Sequence, residues 1–255
     1  MGSGHPVLVV TGLAAEARIA AGPGCRVIAG GGDRAGLARS LQAEDDLAFD
    51  AVVSFGVAGG LSPGLPVGTV VLTSHAVSTP NSSTLPRSPP RKPGLSPGDR
   101  VPAVAGLSGE EDGLPLVARM SDRLERNGFA VRRGGIAGVD RPATTIADKQ
   151  ALREATGAIA VDMESHLAAA YAARRGLPFL AVRVISDGAN HVVPAAAANA
   201  MRPDGSVDVA GLLAALARDP GQIPGLIATA WNAAVAFRVL RRVRRRLGSG
   251  FDLHL

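Results

Sequence analysis

The chain has 255 residues, 46% of them apolar, with Lys+Arg 27 against Asp+Glu 22 for a formal charge of +5, 3% aromatics and one cysteine, Cys25. That length and apolar content suit one large α/β domain or two small ones and argue against wholesale disorder. A lone cysteine excludes an internal disulfide framework and a cysteine-rich zinc site. No hydrophobic run is expected to reach the roughly 18 residues a membrane-spanning helix needs, and Met1-Gly2-Ser3-Gly4-His5 carry neither a basic start nor an apolar signal core, so a cytoplasmic location is expected.

Short apolar runs bounded by glycine or polar residues read as buried strands: Pro6 to Val10, Cys25 to Ala29, Ala51 to Phe55, Gly68 to Thr73, Ala158 to Val161 and Phe179 to Ile185. Between several of them lie Ala-, Leu- and Arg-rich stretches of helical character, Ala35 to Ala43, Leu116 to Arg126, Lys149 to Ala155 and Met163 to Arg175. Strands alternating with helices predict a single three-layer α/β/α domain over 1–255, with a central, mainly parallel, mixed sheet. The Pro- and Ser-rich segment 78–115 interrupts the pattern and reads as a long loop, either a lid or disordered. After Ser206 the chain turns helical, Val207 to Arg218 and then Ile223 to Leu247. In the last helix Leu226, Ala230, Ala233, Phe237, Leu240, Val243 and Leu247 share one face, and the arginines clustered at Arg238, Arg241, Arg242, Arg244, Arg245 and Arg246 take the other.

Ligands of a parallel α/β sheet bind beyond the carboxyl ends of its strands, so the loops that follow them are the place to look for chemistry. The first strand leads to Thr11-Gly12-Leu13-Ala14-Ala15-Glu16, with Glu16 a lone acid among small residues, and the third to a glycine-rich turn, Gly56-Val57-Ala58-Gly59-Gly60. Two more run into Asp162-Met163-Glu164-Ser165 and Ser186-Asp187-Gly188. Arg183 sits inside the apolar run Phe179 to Ile185, and a buried guanidinium needs an anionic partner. It requires either a bound anion or a structural pair with Glu16 or Glu164. Gly30-x-Gly32-x-x-Ala35 fits the relaxed dinucleotide fingerprint of an NAD(P)-dependent oxidoreductase, but the expected acid at the end of the next strand is missing, since Asp50 precedes that strand. This is the remote alternative.

Gly56-Val57-Ala58-Gly59-Gly60, Val161-Asp162-Met163-Glu164-Ser165 and Arg183-Val184-Ile185-Ser186-Asp187, in that order, resemble the nucleoside phosphorylase superfamily, which includes the methylthioadenosine/S-adenosylhomocysteine nucleosidases. Thr11 to Ala17, Val161 to His166, Met201 to Gly205 and Pro220 to Pro224 are most similar to its hopanoid-biosynthesis-associated phosphorylase branch. The resemblance implies cleavage of a purine N-glycosidic bond, with release of adenine from adenosylhopane to leave a ribosyl or phosphoribosyl hopanoid. The alternative is a generic nucleoside phosphorylase or a methylthioadenosine/S-adenosylhomocysteine nucleosidase.

By the same resemblance Asp187 is the general acid at the purine N7, oriented by Ser186 and kept protonated by burial at an apolar strand end. Glu164 binds the ribose hydroxyls and Met163 packs on the sugar. Glu16 positions the attacking water, and Arg183 completes the catalytic set. Gly56, Val57, Ala58 and Gly59 bring backbone N–H groups to the nucleophile or to phosphate. Many relatives carry Ser or Thr where Val57 stands, so hydrolysis and phosphorolysis both stay open, with Arg183 and Arg34 available to hold an anion. Asp162 caps the following helix and His166 is structural. No metal and no organic cofactor is implied, and phosphate is open as a co-substrate. The expected partner is a small, lipid-linked nucleoside. Nucleic acid is not expected, because aromatic side chains for base stacking are nearly absent. A homo-oligomer is expected, as is peripheral membrane contact through the basic C-terminal helix.

Overall fold

The computed structural model describes residues 4–78, 110–198, 200, 206 and 208–253. Among these described residues nine strands form one mixed sheet: β1 (Val7–Thr11), β2 (Cys25–Ala29), β3 (Val52–Gly60), β4 (Val70–Thr73), β5 (Ala76–Ser78), β6 (Val131–Arg133), β7 (Ile136–Gly138), β8 (Ala160–Asp162) and β9 (Phe179–Asp187). Eight α-helices among the same residues cover it: α1 (Ala14–Ala20), α2 (Arg34–Gln42), α3 (Glu110–Arg126), α4 (Ile146–Thr156), α5 (Ser165–Arg175), α6 (Ala195–Ala198), α7 (Val209–Arg218) and α8 (Ile223–Arg246). The three-layer α/β expectation agrees with this arrangement.

β3 is the pivot of the sheet. Its first half lies parallel between β1 and β9, while Gly59 and Gly60 leave β1 and pair antiparallel with β8. Period-two alternation divides the apolar side chains between two faces. Val7, Val9, Val53, Phe55, Leu180, Val182 and Val184 pack with α3 and α8 residues such as Leu124, Leu240 and Val243. Leu8, Val10, Val52, Ala181 and Ile185 pack with α2 and α5 residues such as Leu37, Leu41 and Ala172. The α5 face is also the face on which Arg183 stands, two residues from Ala181 and Ile185.

Local signals fix the helix ends near the site. Thr145 accepts the Asp148 N–H at 3.0 Å and its own N–H reaches Asp148 Oδ2, which caps α4. Gly157, in the left-handed region at φ 68°, closes that helix.

Several expectations need correction. Glu16 belongs to the first turn of a helix, α1, and not to a loop; Ala14 and Ala15 are strong helix formers directly after β1. The expected glycine turn 56–60 is strand: Gly56, Val57 and Ala58 continue the parallel pairing with β9, and Gly59 and Gly60 also pair with β8. The expected loop 78–115 loses both ends, Ser78 to β5 and 110–115 to α3, and 79–109 lie outside the described residues. Contrary to the expectation that no run reaches membrane-span length, the helical stretch Pro220–Arg246 is long and apolar enough, by length and composition, to cross a membrane, with a mean hydropathy of 1.4 over an 18-residue window; Ile, Leu and Val spaced among small residues carry the average without forming an unbroken run. On α8 Leu240, Val243 and Leu247 are buried as expected, whereas Ala230 faces solvent.

Candidate active site

The carboxyl ends of β1, β3, β8 and β9 converge on a cavity of about 280 Å³, closed on its far side by α6 and α8. Glu16, Val57, Ala58, Gly59, Met163, Glu164, Ser186 and Asp187 all line it. Arg183 and Gly56 do not; they lie beneath its floor.

Glu16 is 1% exposed, and its carboxylate is held by three backbone donors. Gly12 and Leu13 donate to Oε2 at 2.9 and 2.8 Å, and Val57 donates to Oε1 at 2.7 Å. Burial pushes its pKa up, against the pull of Arg183 and of those N–H groups. Gly56 has no side chain for a reason: a Cβ there would stand 2.5 Å from Glu16 Oε1 and 2.6 Å from Arg183 Nη1.

Arg183, wholly buried, binds the site together from below. Its Nη2 donates to Ser54 Oγ at 2.6 Å and reaches Glu164 Oε2 at 3.4 Å, Nη1 donates to the Val57 carbonyl at 3.3 Å, and Nε sits 2.7 Å from Asp162 Oδ2 as an ion pair whose N–H points off the oxygen. Burial works against this charge, but Asp162, Glu164 and Glu16 outweigh it and hold the guanidinium pKa above its ordinary value. The nearest counter-charge is Asp162, with Glu164 further off. Asp162 also accepts the Ser165 N–H at 3.0 Å and so caps α5. Three carboxylates therefore share one cation. One consequence is that the Glu164 pKa is pushed up to about 8, by burial first and then by Asp162 and Glu16, against the pull of Arg183.

Asp187 and Ser186 owe their position to a register shift. Ala58 faces Ile185 but Gly59 faces Asp187, so Ser186 is an extra residue on β9, a bulge that redirects the strand end into the cavity. Ser186 Oγ lies 2.9 Å from Asp187 Oδ1 and 3.2 Å from the Ala58 carbonyl. On its other oxygen Asp187 meets a residue that sequence reasoning missed: the Lys149 ammonium, 1% exposed, which also donates to the carbonyls of Gly188 at 2.8 Å and His191 at 2.9 Å. The sequence reading asks apolar burial to keep Asp187 protonated. The structure instead sets a buried cation against it, so the aspartate enters the cavity wall as one half of an ion pair.

Two other residues are committed elsewhere. Arg34 pairs with Asp140 at 2.6 Å and is absent from the cavity wall. His166 is buried near Asp140, and burial lowers its pKa. Among the described residues no group of three or more His, Cys, Asp or Glu is placed to hold a metal.

A family profile described as the phosphorylase superfamily matches residues 3–218. The chain belongs to the phosphorylase superfamily. It is an enzyme of the nucleoside phosphorylase and nucleosidase class, and the oxidoreductase alternative falls. Among solved structures, this superfamily member is similar to the 5′-methylthioadenosine/S-adenosylhomocysteine nucleosidase of Helicobacter pylori (16% identity, TM-score 0.59, covering 94% of this chain and 97% of that one). It is similar also to the futalosine hydrolase of the same organism (15%, TM-score 0.58, 94% and 97%) and to a methylthioadenosine/S-adenosylhomocysteine nucleosidase of Colwellia psychrerythraea in complex with adenine (17%, TM-score 0.58, 96% and 96%). At these identities the likeness carries the fold. A search of the curated proteins finds no significant match.

Proposed function

We propose that this superfamily member is a hydrolase that releases adenine from a lipid-linked nucleoside, adenosylhopane, and leaves a ribosyl hopanoid. Glu164, as a carboxylate, accepts the 2′ and 3′ hydroxyls of the ribose, and Met163 packs on the sugar. The C1′–N9 bond breaks as the purine N7 takes a proton from the Lys149–Asp187 pair, and the oxygen of a water held by Glu16 bonds to C1′ while its proton passes to the Glu16 carboxylate. The carboxylates above Arg183 stabilise the oxocarbenium-like sugar between those events. Adenine sits against aliphatic wall residues, among them Val139, Val161 and Val193.

The observation that carries hydrolysis over phosphorolysis is the commitment of every cation near the site among the described residues. Arg183 is buried on Ser54, Asp162 and Glu164, Lys149 is spent on Asp187, Arg34 is held by Asp140, and Val57 offers no hydroxyl. Phosphate would meet Glu16 with no cation among the described residues of the wall. We further infer that no organic cofactor takes part, that the enzyme works in the cytoplasm at a membrane surface, and that it forms homo-oligomers.

The test is adenine release from adenosylhopane, methylthioadenosine and adenosine, with and without phosphate. Adenine release from the lipid nucleoside at a phosphate-independent rate is expected. No adenine from any of the three would overturn the reaction, and strict phosphate dependence would overturn the water.

A further inference from the structure

We infer that the outer surface of α7 and α8 docks on an anionic bilayer, with the apolar first half of α8 entering the interface and the arginine-rich second half binding lipid phosphates. Among the described side chains, the large apolar groups most open to solvent gather here: Val209 at 59%, Leu213 at 62%, Ile227 at 65% and Trp231 at 70%, with Ile223 at 41%. α7 buries none of its residues. At 100° per residue, Ile223, Ile227 and Trp231 share with Arg238, Arg241, Arg242 and Arg245 one arc of about 100° on α8. The outward stripe thus changes from apolar to cationic along a single helix, the pattern of a helix lying in a membrane interface.

The cationic end is shaped as well as charged. Arg18 of α1 joins Arg241, Arg244 and Arg245 around a second cavity of about 480 Å³ floored by Ala15 and Ile19. Arg244 is engaged by the carbonyls of Ala20 and Gly248, but Arg18, Arg241 and Arg245 have no hydrogen bond or ion pair among the described residues. Three unpaired guanidinium groups converging on an open cleft complement the phosphate of an acidic lipid. A different face of α8 supplies Thr229, Ala233 and Phe237 to the wall of the active-site cavity. Docking would therefore set the cavity within one helix diameter, about 10 Å, of the lipid. This rests on the lipid-linked reading of the substrate only for its purpose; the surface itself is argued from α7, α8 and α1.

Trp231 is the single tryptophan of the chain and reports on the proposal directly. Full-length protein is mixed with vesicles of phosphatidylcholine alone or with about 30% phosphatidylglycerol, a surface that attracts basic segments. Co-flotation with the anionic vesicles, a blue shift of Trp231 emission and its quenching by brominated acyl chains are expected. Arg241→Glu with Arg245→Glu should weaken flotation at least tenfold, and Ile227→Asp should abolish the blue shift, each leaving hydrolysis of a water-soluble nucleoside unchanged. No flotation, flotation with unmoved Trp231 emission, or a self-associated protein that Ile227→Asp renders monomeric without any vesicle binding would each overturn it. Vesicle binding without turnover of the lipid nucleoside would leave the docking surface standing and sink the substrate assignment instead.

Discussion

Replacing Lys149 with methionine removes the ammonium beside Asp187 while keeping most of the side-chain volume. In the structure that ammonium serves three acceptors, Asp187, Gly188 O and His191 O, from a side chain 1% exposed. An unsatisfied buried acceptor costs about 1–3 kcal/mol, and a broken buried ion pair about 3–5 kcal/mol. Because the Asp187 side chain keeps 15% exposure, water can reach it, and the lower end applies. A loss of about 3–4 kcal/mol corresponds, in a chain of this size, to a melting temperature lower by roughly 10 °C. Calorimetry measures that part. Catalysis is the sharper readout: with the proposed proton source for N7 broken, kcat should fall by about 10²-fold or more with KM little changed, toward the level left by Asp187→Asn. The pH profile distinguishes a proton-holding role from a strut, since breaking an acid-base pair should reshape the profile whereas losing a strut should leave it unchanged. A variant that melts early but keeps wild-type kcat and an unchanged pH profile, assayed well below its melting temperature, would refute the reasoning.

Three further outcomes are expected. Gly56→Ala drives a methyl group into Glu16 and Arg183, at 2.5 and 2.6 Å, so it should cost about 1–3 kcal/mol by thermal melting and a far larger share of kcat/KM, because the two groups it displaces define the floor. Glu164, with a folded pKa near 8 against an ordinary value of 4.5, is protonated in the free protein at neutral pH. Its contribution to stability is present below about pH 4.5 and is lost as pH rises through 8, while KM for ribosides should fall over the upper part of that range as the carboxylate appears; Glu164→Gln should flatten both trends. Arg183→Met leaves Asp162, Glu164 and Glu16 facing one another without a cation, at a cost of about 3–5 kcal/mol, and acidification should restore part of the lost melting temperature.

The parts of the fold that could be read from the chain are those where burial leaves a local signature. β1, β4 and β9 are mainly apolar runs buried along most of their length, and their expected limits, like those of the half-buried β2, agree with the structure to within two residues. β6 and β7, at Val131–Arg133 and Ile136–Gly138, are three residues long and too short to show a period. α1 is hidden for a similar reason: seven residues, mostly alanine, give no amphipathic pattern, and only its packing against β1, β2 and α8 makes it a helix.

Legibility of the site follows the same physics, one residue at a time. Arg183 stands out in the sequence because it interrupts a strand that has no solvent to send it to, so its partners can be demanded before they are seen. Its main partner was harder to name: Asp162 reads as a helix cap, and it is one, but the same carboxylate also faces the guanidinium, a double duty that no spacing rule encodes. Lys149 is the opposite case. A lysine in the stretch Asp148-Lys149-Gln150 reads as the solvated side of a helix, and nothing adjacent marks it as buried. It becomes part of the site only because the sheet brings the N-terminal turn of α4 over the end of β9, where the Ser186 bulge has turned Asp187 toward it. A charge set among apolar neighbours can be recognised from sequence; a charge set among polar neighbours and buried by tertiary packing cannot, and here that second kind supplies the cation that meets Asp187 and on which the proposed leaving-group chemistry depends.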